Sequence, residues 1–211
     1  MKNKYNRYVM MTSAYLITAL IISSAYLSGC SGVSDTIKNA ERLKFKLGSV
    51  EGFDLAGVKI KNMNSIKDLN IMDGAKLLSG FTSGNMKSKF TVNLIAKNPD
   101  TQGGSKESSS LIKSLDWRLL IDNKEVLDGE VNNITVPGVG KSVTIPIPVT
   151  VDLMKIVGDT GYESIINLAL ALGGKSGSSS RLTLKIKPTI DTFLGGISMP
   201  GEIDVIDKEF R

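Results

Sequence analysis

The sequence predicts a mainly β fold, an antiparallel sandwich with one short helix near the C-terminal third, and three observations predict it. Apolar and polar residues alternate with a period of two in several separate stretches. Clusters of Gly, Asn, Asp and Ser divide those stretches into strand-length pieces. Two prolines stand inside one alternating stretch, a placement that edge strands tolerate and central strands do not.

The chain first carries a leader. Lys2, Lys4 and Arg7 precede an uncharged run from Tyr8 to Gly29, the charged and apolar regions of a secretory signal. Leu27-Ser28-Gly29-Cys30 at its end resembles the bacterial lipobox. The resemblance implies a diacylglycerol on the Cys30 thiol, cleavage before Cys30 and acylation of the new amine. Each buried lipid methylene contributes about 0.8 kcal/mol, so two or more chains anchor firmly. An uncleaved spanning helix is the other reading, because about 20 apolar residues cross a bilayer; Thr12, Ser13, Thr18, Ser23 and Ser24 weaken it. Ser31 after the cysteine implies, by the same resemblance, the outer membrane with the protein facing the periplasm.

The expected organisation is a signal at 1–29, a lipidated tether at 30–42 and a single sandwich at 43–211. In the tether, Asp35-Thr36-Ile37 resembles the tripeptide that Bacteroidota O-glycosylate, which makes Thr36 a candidate site; a plain solvated leader is the alternative. Short alternations begin the sandwich at Lys44–Leu47 and Val58–Lys61. In Lys89–Lys97, Phe90, Val92, Leu94 and Ala96 share one face. Leu115, Trp117, Leu119 and Ile121 do the same in Leu115–Asp122, and Asp122-Asn123-Lys124-Glu125 reads as a hairpin turn. Val143 to Val151 is apolar at alternate positions with Pro146 and Pro148 between, so it reads as a protected edge strand or one that switches sheets. Leu182, Leu184 and Ile186 form a strand face in Arg181–Lys187, and Ile203–Ile206 is a last short one.

The helix lies between those strands. Thr160-Gly161-Tyr162-Glu163 has the spacing of a capping box, and Gly173-Gly174 supply a stop. Ile165, Ile166, Ala169 and Leu172 fall on one face, either packed between the sheets or roofing an apolar cavity that binds a ligand. Leu153, Ile156 and Val157 have helical spacing just before it.

Composition narrows the chemistry. The 182 residues after the signal can bury a sizeable core and carry a net charge of about +2, with 23 basic and 21 acidic residues. No nucleic-acid partner is expected, since no basic run is interleaved with aromatics. The chain has no histidine and its only cysteine is Cys30. That excludes Ser-His-Asp and Cys-His nucleophiles, His/Cys zinc sites and any disulfide. No cofactor and no metal is expected, and the chain reads as a non-enzyme. Gly138-Val139-Gly140-Lys141-Ser142 looks like a phosphate-binding loop, but Thr135 stands where the motif needs glycine. Asp122, Glu125, Asp128 and Glu130 lack the spacing of a calcium loop.

The order of motifs from Phe90 to Val151 resembles the water-stress-and-hypersensitive-response domain of group-2 late-embryogenesis-abundant proteins. An alternating strand ends in Asn98-Pro99-Asp100; Asp116–Asp122 and Leu127-Asp128-Gly129 follow; Val136-Pro137 and the strand with Pro146 and Pro148 complete it. Asn98, Pro99 and Asp100 suit a strand-ending turn, a structural role. The resemblance implies an immunoglobulin-like or fibronectin-III-like sandwich in a non-enzymatic protein of desiccation and stress tolerance. Two functions are expected: a lipid-anchored binding or protective module, or a structural and assembly lipoprotein docking on an envelope protein complex. The partners would be the membrane, through the N-terminal lipid, and a protein or lipid of the envelope.

Overall fold

The computed structural model describes residues 42–61, 63–99, 110–136, 138–158, 161–174, 181–192 and 195–206. In chain order the elements are β1 (Lys44–Leu55), β2 (Val58–Lys59), a 3-10 turn (Ile66–Asp68), α1 (Ile71–Thr82), β3 (Lys87–Lys97), β4 (Ser110–Ile121), β5 (Lys124–Val136) and β6 (Ser142–Asp152). After them come α2 (Leu153–Val157), α3 (Tyr162–Gly173), β7 (Leu182–Thr192), β8 (Gly195–Ser198) and β9 (Ile203–Val205).

The strands form two antiparallel sheets, one in the order β2-β1-β3-β6 and the other β5-β4-β7-β8, with β9 also on β7. The chain crosses between sheets after β3, after β5 and after β6, as in an immunoglobulin-like or fibronectin-like sandwich. Alternation explains the packing. Phe45, Leu47, Phe90, Val92 and Leu94 of the first sheet are buried, as are Leu115, Leu119, Leu184 and Ile186 of the second, all in one core. Phe53 stacks on Phe90 with ring centroids 4.9 Å apart.

β6 is an edge strand, and its ladder to β3 runs unbroken from Lys87↔Asp152 to Lys97↔Ser142. Pro146 and Pro148 therefore turn their hydrogen-less nitrogens away from β3, toward the free edge. The β4–β5 hairpin closes through Asp122 and Asn123, both at positive φ (49° and 63°), as a two-residue turn of that twist requires.

Three features depart from the sequence expectation. α1, a second long helix, stands between β2 and β3, where no helix is expected. β1 continues past Leu47 to Leu55, through two register irregularities. β8 is not expected from the sequence; it and the expected short strand, β9, form an outer strand in two pieces whose far end reaches β1, where the Leu47 amide donates to the Ile206 carbonyl at 3.1 Å.

The start and end of α3 also differ in cause. Gly161 is its N-cap and makes no side-chain cap bond, so Glu163 is one position too early for the expected box; Thr160 lies outside the described residues. A reciprocal cap does exist elsewhere, between Ser65 and Asp68 at the 3-10 turn. At the other end Gly173 is still helical and Gly174 has φ −72°, so neither glycine of the expected stop is left-handed. Close approach requires glycine instead. A Cβ on Gly173 would lie 2.2 Å from Phe53 Cβ, and one on Gly174 would lie 2.6 Å from the Leu170 and Met63 carbonyl oxygens.

Candidate functional site

α1 is built as an outrigger. Asn70 caps it, its side-chain oxygen accepting the Asp73 amide at 2.8 Å while its amide group donates to the Asp73 carboxylate at 2.7 Å. Only Leu77 is fully buried along its length. Gly80 allows it to close on the sandwich, since a Cβ there would sit 3.2 Å from both Ala56 Cβ and Met86 Sδ. Phe81 meets Tyr162 of α3 edge to face at 5.5 Å, and burial pushes the Tyr162 phenol above its ordinary value.

Between α1, the β1–β2 hairpin, the start of β3 and the end of α3 runs a groove of about 1250 Å³. Five lysines line it, Lys59, Lys61, Lys76, Lys87 and Lys89, against two carboxylates, Glu51 and Asp54. The strand register places Asp54 opposite both Lys59 and Lys89. Both carboxylates are already engaged: Asp54 accepts the Gly57 amide at 2.9 Å and Glu51 the Ser49 hydroxyl at 2.9 Å. Lys76 stands 3.8 Å from Asp73. Lys59, Lys61, Lys87 and Lys89 make no ion pair among the described residues.

Such a groove can hold an anion. Lysine ammoniums are mobile point charges with three donors each. Among the described residues no cluster of three or more His, Cys, Asp or Glu could hold a metal.

The outer face of the second sheet has charges that serve the fold. Arg118 of β4 holds Glu202 through two bonds of 2.9 and 2.5 Å, and Glu125 at 2.5 Å. With Lys185 3.0 Å from Asp204, this fastens β9 onto its sheet. The Arg118 hydrogen bond lowers the Glu202 carboxyl below its ordinary value, against a smaller opposing effect of desolvation. Arg181 is paired with Asp122 beside the hairpin turn. Two of the four acids weighed for calcium, Asp122 and Glu125, are thus bound to arginines.

Ile165, Ile166, Ala169 and Leu172 lie together in the core, and the groove touches α3 only at Gly173 and at the adjoining Gly174. Asn98 is buried, and its amide and carbonyl bond Lys141 and Gly140 at 3.0 and 2.8 Å, joining the end of β3 to the turn before β6. Pro99 follows, half-buried. Cys30, Thr36 and Asp100 lie outside the described residues. Sequence reasoning missed the groove. Its signals were Asn70 and Asp73 at capping distance before Leu77 and Phe81, and the paired lysines at 59/61 and 87/89.

No family model matches the chain, and no curated protein matches it. Solved structures with a similar course include a protein from Archaeoglobus fulgidus, 13% identical over 75% of this chain and 94% of that one, with a TM-score of 0.32. A candidate late embryogenesis abundant (LEA) protein is 16% identical over 90% of this chain and 87% of its own, at 0.34. A protein from Arabidopsis thaliana is 18% identical over 77% and 83%, at 0.31.

Proposed function

We propose that this chain is a lipid-anchored, non-enzymatic envelope protein of the late-embryogenesis-abundant, stress-related type, acting as a binding or protective module. The observation that carries a binding role is the groove with five lysines and two engaged carboxylates, beside a helix that exposes Ile71, Met72 and Leu78. The order of Asn98-Pro99, Leu127-Asp128-Gly129 and the Pro146/Pro148 strand supports the stress-related type. The lipobox at Leu27–Cys30 supports the anchor, and Ser31 supports outer-membrane sorting.

The test is made in a bacterial host. Inhibiting the lipoprotein signal peptidase is expected to accumulate a longer, membrane-bound precursor, and Cys30→Ser is expected to block processing at the same bond. Normal processing of Cys30→Ser would sink the anchor. For the protective role, a drying-sensitive enzyme dried with the protein should keep more activity than with an equal mass of an unrelated protein. Equal losses would remove that role.

A further inference from the structure

The exposed apolar side chains are not scattered. Among the described residues the four large ones are Ile66, Ile71, Met72 and Leu78, exposed by 37%, 71% or more at Ile71 and Met72 (94% and 71%), and 53% at Leu78. All fall within the 3-10 turn and α1. Single exposed apolar residues are ordinary on a surface, whereas four in one short segment are a patch. Ile71, Ala75 and Leu78 stand at helical spacing on one side of α1, while Leu77 holds the other side to the sandwich. Along the same helix Lys76, Ser79, Gly80 and Ser83 line the lysine groove, so apolar patch and basic groove adjoin.

The acids in this segment have partners close by in the chain. Asp68 accepts the Asn64 and Ser65 amides at 2.6 and 3.2 Å, and Asp73 is held by Asn70 and Lys76. An exposed apolar helix face therefore borders a groove in which lysines outnumber carboxylates five to two, and apolar surface beside excess positive charge suits an anionic lipid surface.

We propose that α1 is a membrane-docking element: its outward apolar face enters the headgroup region of an anionic bilayer while the groove lysines engage lipid phosphates. Charge complementarity selects this occupant. A wholly apolar protein groove would match Ile71 and Leu78 but leave the lysines beside it unanswered, whereas an anionic lipid surface answers both at once.

Chain length permits it. β1 is 12 residues long, about 36 Å at the usual strand rise, and separates its Lys44 end from the hairpin that leads to α1. The 14 steps from Cys30 to Lys44 can span up to about 50 Å when extended. A lipid at Cys30 and a docked α1 can therefore share one membrane, with the sandwich lying along it. This rests on the reading that the chain is held at a membrane.

The test uses the full chain, reconstituted in vesicles that contain nitroxide-bearing lipid, with an environment-sensitive fluorescent amino acid at position 72. Flotation reports anchoring, and quenching of the probe reports docking, so the two can fail separately. Quenching is expected to be at least about threefold stronger with a third phosphatidylglycerol than with phosphatidylcholine alone, and to fall in high salt. Lys59→Gln with Lys61→Gln should reduce the quenching about twofold without changing flotation, since each basic residue near the surface adds attraction. A floated chain with an unquenched probe overturns the proposal, as does quenching that ignores lipid charge or a probe shielded by a co-purified protein. If the chain does not float on neutral vesicles, anchoring fails, and recruitment with quenching on anionic vesicles still decides the role of α1.

Discussion

Gly173→Ala sets helix propensity against packing at one atom. Propensity alone favours alanine over glycine within a helix by up to about 1 kcal/mol. The new Cβ, however, would stand 2.2 Å from Phe53 Cβ and 2.3 Å from its Cγ. Carbon pairs rest at about 3.5–4.0 Å, so α3 and β1 would have to separate by about 1.5 Å at this point. The ring stem of Phe53 cannot yield cheaply, because Phe53 is buried and stacked on Phe90. Overpacking of this kind costs about 1–3 kcal/mol. The expected net result is destabilisation by about 1–2 kcal/mol, or a urea midpoint about 0.5–1 M lower at an ordinary denaturant slope. Trp117, the only tryptophan and a buried one, reports the transition by fluorescence. Gly74→Ala in α1 is the control, since a Cβ there meets nothing within 4 Å. It should raise the midpoint. A Gly173→Ala midpoint at or above the parent's, or an equal fall in both variants, would refute the packing argument.

Ile166→Ala should cost about 2–5 kcal/mol in the same assay, because Ile166 is buried in the core with Ile165 and Leu172; near-zero cost would mean the site relaxes around a cavity. Glu202 should titrate below the ordinary glutamate range by carbon-detected NMR, and Arg118→Gln should move it back up. Its folded value is depressed, so the stability it contributes is present above the unfolded value and lost as pH falls through the folded one. The stability gap between parent and Arg118→Gln should therefore narrow in acid, and a gap that widens there would contradict the pairing.

The strands were legible where alternation was strict. Phe90 to Ala96, Leu115 to Ile121 and Leu182 to Ile186 face the core as their period requires, and the two prolines marked an edge. β1 was readable only to Leu47, because its two register irregularities break the alternation that would carry it to Leu55. β8 had too little apolar signal in Gly195-Gly196-Ile197-Ser198. α1 escaped for a different reason. It is apolar on both sides, Leu77 inward and Ile71 and Leu78 outward, and it holds Gly74 and Gly80, so no amphipathic stripe stands out. The groove joins lysines from β2, α1 and β3, and only pairing of the strands brings them together.

The prolines of β6 bear on what happens when many copies share a small area. A sandwich whose outermost strand offers a full row of amides can zip to its neighbour and grow into a ribbon, the more readily as copies crowd. Pro146 and Pro148 remove two donors from that row, at alternate positions, leaving three residues of edge without a regular ladder. Copies brought side by side would then find no continuous ladder along this edge of the first sheet, and any pairing between them would have to start from another edge, such as β5.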